Sequence, residues 1–371
     1  MNILILNWRD IKHPLAGGAE ISLMEQAKYW RKRGENVVWF SSSFPKSKAV
    51  EKIDGIKIIR KGSHYTVHIH AFLHYMKGKF KDIDVVIDSF HFIPFFTPLY
   101  IRRKIIALIN EPAGKLWFKN IPYLFAFIGY YSEPLFFKFY KNIQFITGSE
   151  SIANELKDSY SISDKNISVV HHGFSSPSKN KIFKKEKNPT VIFASRLSED
   201  KGIEKAIEAV AKIKAKVPSI QFWVVGKSEN EDYLKKIKKT LQKSDLHKNT
   251  TLFGFVSEKK KFELFQKAWI LIHPSFKEGW GLNVIEANSV GTPAVGYNVT
   301  GLTDSIKNGI TGLIAKKNES DELVYLVLKF IEDSNLRTKL SENAKKWSEK
   351  FSWEKSGKAS LEIIKRIYEK K

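Results

Sequence analysis

The chain of 371 residues has no cysteine. That excludes disulfides and thiolate metal ligands, and it makes a reducing, cytoplasmic compartment the simplest home. Long hydrophobic runs are missing too. The longest aromatic–apolar stretch, IPYLFAFIGYY at residues 121–131, falls well short of the ~18–20 residues a membrane-spanning helix needs. The opening MNILILNWRD has no basic segment before its apolar run and no small-residue cleavage site, so it does not read as a signal peptide. Acidic charge is the scarcer sign, with 39 Asp and Glu against 62 Lys and Arg, a net charge of +23. The surplus is shared between residues 1–180 and the remainder, which argues against a discrete nucleic-acid-binding module. Anionic substrates, an anionic membrane surface, or a lysine-rich bias with no partner stay open.

What is present is a repeated alternation of short apolar strands and amphipathic helices. Strand candidates in the first half are residues 3–7, 37–41, 56–60, 85–89, 105–109, 143–147 and 167–171, with helical segments such as 20–34 between them. A second set runs through 190–196, 220–226, 251–255, 269–273, 293–297 and 312–316. This is the pattern of parallel, doubly wound α/β sheets. The length fits two domains of about 180 residues each. The polar stretch at 175–188 reads as the linker, giving domains at 1–176 and 177–352. A closing amphipathic helix lies at 353–371.

The densest signal is SFKEGWGLNVIEANSV at 275–290. Glu278 and Glu286 stand eight positions apart between two apolar strands, with Gly279, Gly281 and Leu282 between them. A glycine-containing turn into a helix at a strand end is where α/β sheets hold ligands. Were the stretch mostly helical, the two carboxylates would lie about 12 Å apart, the reach of a diphosphate with a sugar at each end. A second constellation is ASRLSEDKGI at 194–203, where Arg196 ends a strand and Lys201 precedes a helix start. Such a pair can clamp a diphosphate. The third is HPLAGGAE at 13–20, where Gly17 and Gly18 precede a helix and Glu20 stands in its first turn.

Together these motifs resemble the family 4 glycosyltransferases, of the glycosyltransferase group 1 type: retaining enzymes of the GT-B fold. In that fold two Rossmann-like domains face a cleft, and the last helix crosses back to the first domain. The resemblance implies that Glu278 contacts the transferred sugar and Glu286 the ribose. It implies that Arg196 and Lys201 neutralise the leaving nucleoside diphosphate. Gly17 and Gly18 match the glycine loop near the donor phosphates or the acceptor. Gly226 matches a residue near the nucleotide, and Phe255 and Val256 the loop at the base. Thr300–Gly301–Leu302 is similar to the loop over the donor sugar, without its usual second glycine and Glu, and with Asp304 in that neighbourhood.

One departure from the family stands out. Relatives place a His after the fifth strand of the first domain, where this chain has Asn110 and Glu111. An amide hydrogen-bonds a hydroxyl but is no imidazole. His91, in DSFHFIPFF, is either a cleft residue or an ordinary loop histidine. His64, His68 and His70 read as surface residues, and Asp82 and Asp84 as the lead-in to a strand. No metal and no cofactor is expected.

The implied partners are a UDP- or GDP-sugar donor and a glycan or lipid-linked acceptor, and no nucleic acid. Relatives with basic, aromatic first domains dock on the cytoplasmic leaflet, which makes residues 117–141 either buried helical core or a membrane-facing segment. Two other classes compete: a nucleotide-sugar 2-epimerase of the same fold, and a catalytically weak nucleotide-sugar binder.

Overall fold

The computed structural model describes residues 1–175 and 183–370. Residues 176–182 of the expected linker lie outside the described residues. The chain divides into two compact units, Met1–Gly173 with Phe351–Lys371, and Phe174–Lys350.

In the first unit the strands are β1 (Asn2–Leu6), β2 (Asn36–Ser41), β3 (Val50–Ile53), β4 (Ile56–Arg60), β5 (Val85–Phe90), β6 (Lys104–Ile109), β7 (Gln144–Thr147) and β8 (Ile167–Val169). They form one sheet in the order β3-β4-β2-β1-β5-β6-β7-β8. All neighbours pair in parallel except β3 with β4. The helices are α1 (Gly18–Lys32), α2 (Val67–Met76), α3 (Trp117–Asn120), α4 (Tyr123–Phe139) and α5 (Glu150–Tyr160). The central strands are continuous apolar runs because both faces of a parallel sheet are covered. β3 has no such run and escaped the strand reading. It is an edge hairpin closed by Asp54–Gly55, both at positive φ, and that Asp-Gly pair is its one sequence signal.

The second unit alternates regularly: β9 (Thr190–Ala194), α6 (Ile203–Lys214), β10 (Gln221–Val225), α7 (Glu231–Lys243), β11 (Thr250–Gly254), α8 (Glu258–Lys267), β12 (Ile270–His273), α9 (Leu282–Ser289), β13 (Ala294–Gly296), α10 (Leu302–Ser305), β14 (Gly312–Ile314), α11 (Ser320–Glu332) and α12 (Ser334–Ser348). Its sheet runs β11-β10-β9-β12-β13-β14, parallel throughout. The last helix, α13 (Trp353–Glu369), belongs to the first unit. There its Leu361 and Ile364 join the core under β1 and α1, and Ser360 Oγ accepts a buried 2.9 Å bond from Trp30 Nε1.

Sheet order decides where ligands go. In each unit the chain leaves its first strand in one direction and later returns to the strand on its other side. The reversal falls between β1 and β5 in one unit and between β9 and β12 in the other. The crossover helices diverge there and leave a crevice at the carboxyl ends of the strands.

Two buried ion pairs pin the loop that follows β1. Arg9 meets Glu20 at 3.1 Å, and Asp10 takes a two-pronged contact from Arg60, at 2.7 and 2.9 Å. Glu20 also accepts the Gly17 amide at 2.8 Å, so it does more than complement the dipole of α1. Burial pushes the Asp10 carboxyl up. The Arg60 guanidinium, the Lys12 amide and the Ser41 hydroxyl outweigh that and hold it below the ordinary range. Its contribution to stability is therefore present above the unfolded-state pKa and is lost as pH falls through the lower folded one. Arg60→Met leaves Asp10 buried and unpaired, and it lowers unfolding free energy by about 3–5 kcal/mol. Denaturant titration of the two proteins checks this, and a loss below ~1 kcal/mol contradicts it.

Candidate active site

The crevice of the second unit holds a charged cluster drawn from both sides of its switch point. From the β9 side come Arg196, Asp200 and Lys201, and from the β12 side His273, Ser275 and Glu278. Lys201 Nζ lies 2.8 Å from Glu278 Oε1, and that same oxygen accepts a 2.9 Å bond from Ser275 Oγ. His273 Nε2 is 3.6 Å from it. Asp200 sits between the two cations, 3.6 Å from Arg196 Nη2 and 3.6 Å from Lys201 Nζ. Lys201 is largely buried, whereas Arg196 is part-exposed.

Burial pushes the Glu278 carboxyl up, but the Lys201 ammonium, foremost, and the Ser275 hydroxyl offset this and leave it below the ordinary carboxylate range. Burial pushes His273 down and keeps it neutral. The site thus holds two ionised acids, Glu278 and Asp200, a neutral imidazole and two cations within a few ångströms.

Two glycines make this packing possible. Gly226, at the end of β10 with φ of 142°, lies against the residue before Arg196; a Cβ there would fall 1.7 Å from the Ser195 carbonyl oxygen. Gly301, with φ of 76°, lies on the Glu278 loop; its Cβ would fall 2.3 Å from the Glu278 carbonyl oxygen. Thr300–Gly301–Leu302 therefore abuts the Glu278 loop even without the second glycine.

Glu286 is separate from the cluster. Helix α9 starts only at Leu282, with Gly281 as its N-cap. Glu278 stands in the loop, so the helical rise expected between the two carboxylates does not apply. Glu286 is buried on α9, and Lys261 of α8 reaches its two oxygens at 2.8 and 3.0 Å. Burial dominates and lifts its pKa to about 7, against the pull of Lys261. Asn283 Nδ2 donates a 2.6 Å bond to the Ala194 carbonyl and ties the start of α9 to the end of β9. Phe255 is exposed just beyond β11, and Val256 is half-buried against the core.

Residues 175–347 match the family described as Glycosyl transferases group 1, and residues 16–176 the one described as Glycosyltransferase Family 4. The chain belongs to these glycosyltransferases. An uncharacterized glycosyltransferase of Methanocaldococcus jannaschii is 28% identical over 277 residues, which cover 72% of this chain and 64% of its own length. The match thus spans a little under two thirds of that relative. Sucrose-phosphate synthase from Thermosynechococcus elongatus superposes with a TM-score of 0.82 over 99% of both chains, at 17% identity. HepE of Anabaena, solved with UDP and glucose, gives 0.75 over 99% of this chain and 100% of its own, at 18% identity. At such identities the likeness shows the fold, GT-B.

The first unit arranges its own switch point differently. Trp8, after β1, is ringed by His13, His64 and His91 at centroid distances of 5.2, 5.6 and 5.5 Å. His91 follows β5, so it lies at the crevice. Gly17 is the N-cap of α1 and Gly18 its first residue, and the Gly17 amide is occupied by Glu20. Asn110 follows β6 and borders a cavity of only ≈ 10 Å³ shared with Ser22 and His172. On that side of Asn110 there is room for about one water. Glu111 is half-buried beside it. His68 is half-buried, packed on Phe95 at 4.5 Å with Nε2 3.3 Å from the Ile93 carbonyl.

Sequence reasoning passed over Asp200, Lys261, His273, Ser275 and the Trp8 ring. His273 and Ser275 had a signal, as the HPS that ends an apolar strand just before Glu278. Lys261 had none, since KKK at 259–261 looks like any solvated run. Removing that ammonium takes away the main force holding Glu286 down, so Lys261→Met raises its pKa above about 7. Carboxyl-carbon NMR titration reads this shift, and an unchanged midpoint contradicts it.

Proposed function

We propose that this protein is a retaining, metal-independent glycosyltransferase. It moves a hexose-type sugar from a UDP- or GDP-sugar to a glycan or lipid-linked acceptor in polysaccharide biosynthesis. The observation that carries the proposal is the Arg196–Asp200–Lys201–Glu278 cluster at the switch point of the second unit. Two cations beside a helix start suit a diphosphate, and an ionised carboxylate beside them suits sugar hydroxyls. The UDP and glucose held by HepE, a protein of the same fold, support a nucleotide-sugar donor.

In this reading the bond between the anomeric carbon and the diphosphate oxygen breaks through an oxocarbenium-like state. Arg196 and Lys201 stabilise the negative charge that develops on the departing oxygen, the largest electrostatic contribution to rate. Lys201 exchanges its bond to Glu278 for one to phosphate, which frees the carboxylate for the sugar. The acceptor oxygen attacks on the face the diphosphate leaves, and its proton passes to the leaving phosphate oxygen, so configuration is retained. Glu286 takes the ribose hydroxyls in ground and transition state alike. Gly226, Gly279, Gly281, Leu282, Phe255 and Val256 shape the nucleotide's surroundings. Gly17, Gly18, His91, Asn110 and Glu111 are assigned to the first unit's share of donor and acceptor contacts.

Glu278→Gln and Arg196→Ala are each expected to lower turnover ~100-fold or more with the fold intact, the scale of one lost charged contact in a transition state. Glu286→Ala acts mainly on the donor KM, because its contact is uniform along the reaction. EDTA leaves the wild-type rate unchanged. Near-normal transfer by both Glu278→Gln and Arg196→Ala would sink the site assignment, and a metal-reversible loss in EDTA the metal independence.

A further inference from the structure

Two helices of the first unit turn the usual amphipathic pattern inside out. α4 buries Ala126, Gly129, Glu133 and, near its end, Phe137, and it exposes Tyr123, Leu124, Phe125, Ile128, Tyr131 and Leu135, with Leu124 at 67% and Phe125 at 64%. The helix's one acid faces inward, where the amides of Ala113 and Gly114 and Trp117 Nε1 bond it at 2.7, 2.8 and 3.1 Å. α2 repeats the inversion, burying Val67 and Ala71 and exposing Ile69, Leu73 and Met76. It carries no Asp, Glu, Lys or Arg. A water-facing helix surface is ordinarily polar.

The two faces are joined. Phe96 meets Phe136 and Phe139 of α4 at centroid distances of 5.3 and 6.0 Å. Four residues on, Tyr100 meets Phe72 and Tyr75 of α2 at 5.1 and 5.7 Å. Residues 96–100 thus bridge the helices and add the exposed Leu99. Contiguous apolar surface on this scale marks contact with another body.

The charge around it says which body. Residues 61–142 hold eleven Lys and Arg against five Asp and Glu, and two of those acids, Asp88 and Glu133, are buried. Lys77, Arg102, Lys119, Lys138 and Lys141 are exposed on or beside the two helices. A second copy of the chain would set this positive rim against itself, which like charges oppose. An anionic bilayer offers acyl surface to the aromatic face and headgroups to the rim. None of the described helices is long and apolar enough to cross a membrane, so the contact is with its surface.

We infer that α2, residues 96–100 and α4 form a docking face for an anionic membrane surface. The inference deepens the reading of a lipid-linked acceptor, but its test needs no turnover. Full-length protein is floated with vesicles of phosphatidylcholine plus phosphatidylglycerol, and with phosphatidylcholine alone, at low and high salt. It is expected to float with the mixed vesicles at low salt, and far less at high salt or with the neutral vesicles. The Leu124→Ser/Ile128→Ser double variant should stay in the soluble fraction, with an unchanged circular dichroism spectrum and an unchanged thermal shift on adding UDP or GDP. Lys138→Ala with Lys141→Ala should lower partitioning roughly 10- to 30-fold at low salt.

Wild-type protein that stays soluble with mixed vesicles overturns the assignment, as does a Leu124→Ser/Ile128→Ser protein that floats like wild type. A lipid-free dimer abolished by that double variant overturns it too, and gives the face to a second copy. A UDP shift without flotation removes the docking face alone. Flotation without a shift from either UDP or GDP removes the donor reading alone.

Discussion

A carboxylate withdrawn from water must have a partner or give up its charge. Glu278 keeps its charge because Lys201 lies 2.8 Å away and Ser275 donates to the same oxygen. Much of the second unit's local architecture serves that contact. Lys201 is set by the end of β9, Ser275 and Glu278 by the end of β12, and these two strands are neighbours in the sheet. Gly301 leaves room for the loop that carries Glu278. Glu286 is the contrast, since burial outweighs Lys261 there and its pKa rises to about 7. Two glutamates eight residues apart thus face different electrostatic surroundings, which suits them to different tasks.

Both units follow one topological rule and spend it differently. At the β9/β12 reversal the crevice gathers permanent charges, the equipment for a phosphate. At the β1/β5 reversal it gathers Trp8 and three imidazoles, with the nearby charges already paired as Arg9–Glu20 and Asp10–Arg60. Burial helps push the His13 imidazole down to about 4, so it is neutral at physiological pH. A neutral aromatic crevice in one unit and a crevice of paired cations and carboxylates in the other are the surfaces the proposed reading gives to acceptor and nucleotide.

The sequence was easiest to read where periodicity and burial agree. All six strands of the second unit are apolar runs between helical segments, and each was visible as such. Glu278, Arg196 and Lys201 were legible because strand ends and glycines marked their loops. What stayed hidden was of two kinds. β3 lacks an apolar run because it is an edge strand with one face in water. Lys261 and the Trp8 ring are made by tertiary approach between segments, and side chains brought together by folding leave no local spacing to find; Asp200, four residues from Arg196 and next to Lys201, lay inside the motif already read. The stretch at 117–141 was ambiguous for a physical reason as well. An all-apolar helix reads alike whether its second face meets protein or lipid, and only the inward turn of Glu133 and the exposure of Leu124 and Phe125 separate the two.

The account's central claim is that the Arg196–Lys201 side of the second unit holds a diphosphate. Titration calorimetry of uridine with UDP, and of guanosine with GDP, against the wild-type protein and Lys201→Met tests it most directly. The account predicts that the diphosphate of one pair binds wild type far more tightly than its nucleoside does, and that Lys201→Met erases most of that difference while leaving nucleoside affinity unchanged. A Lys201→Met protein that keeps the full preference for the diphosphate would contradict it.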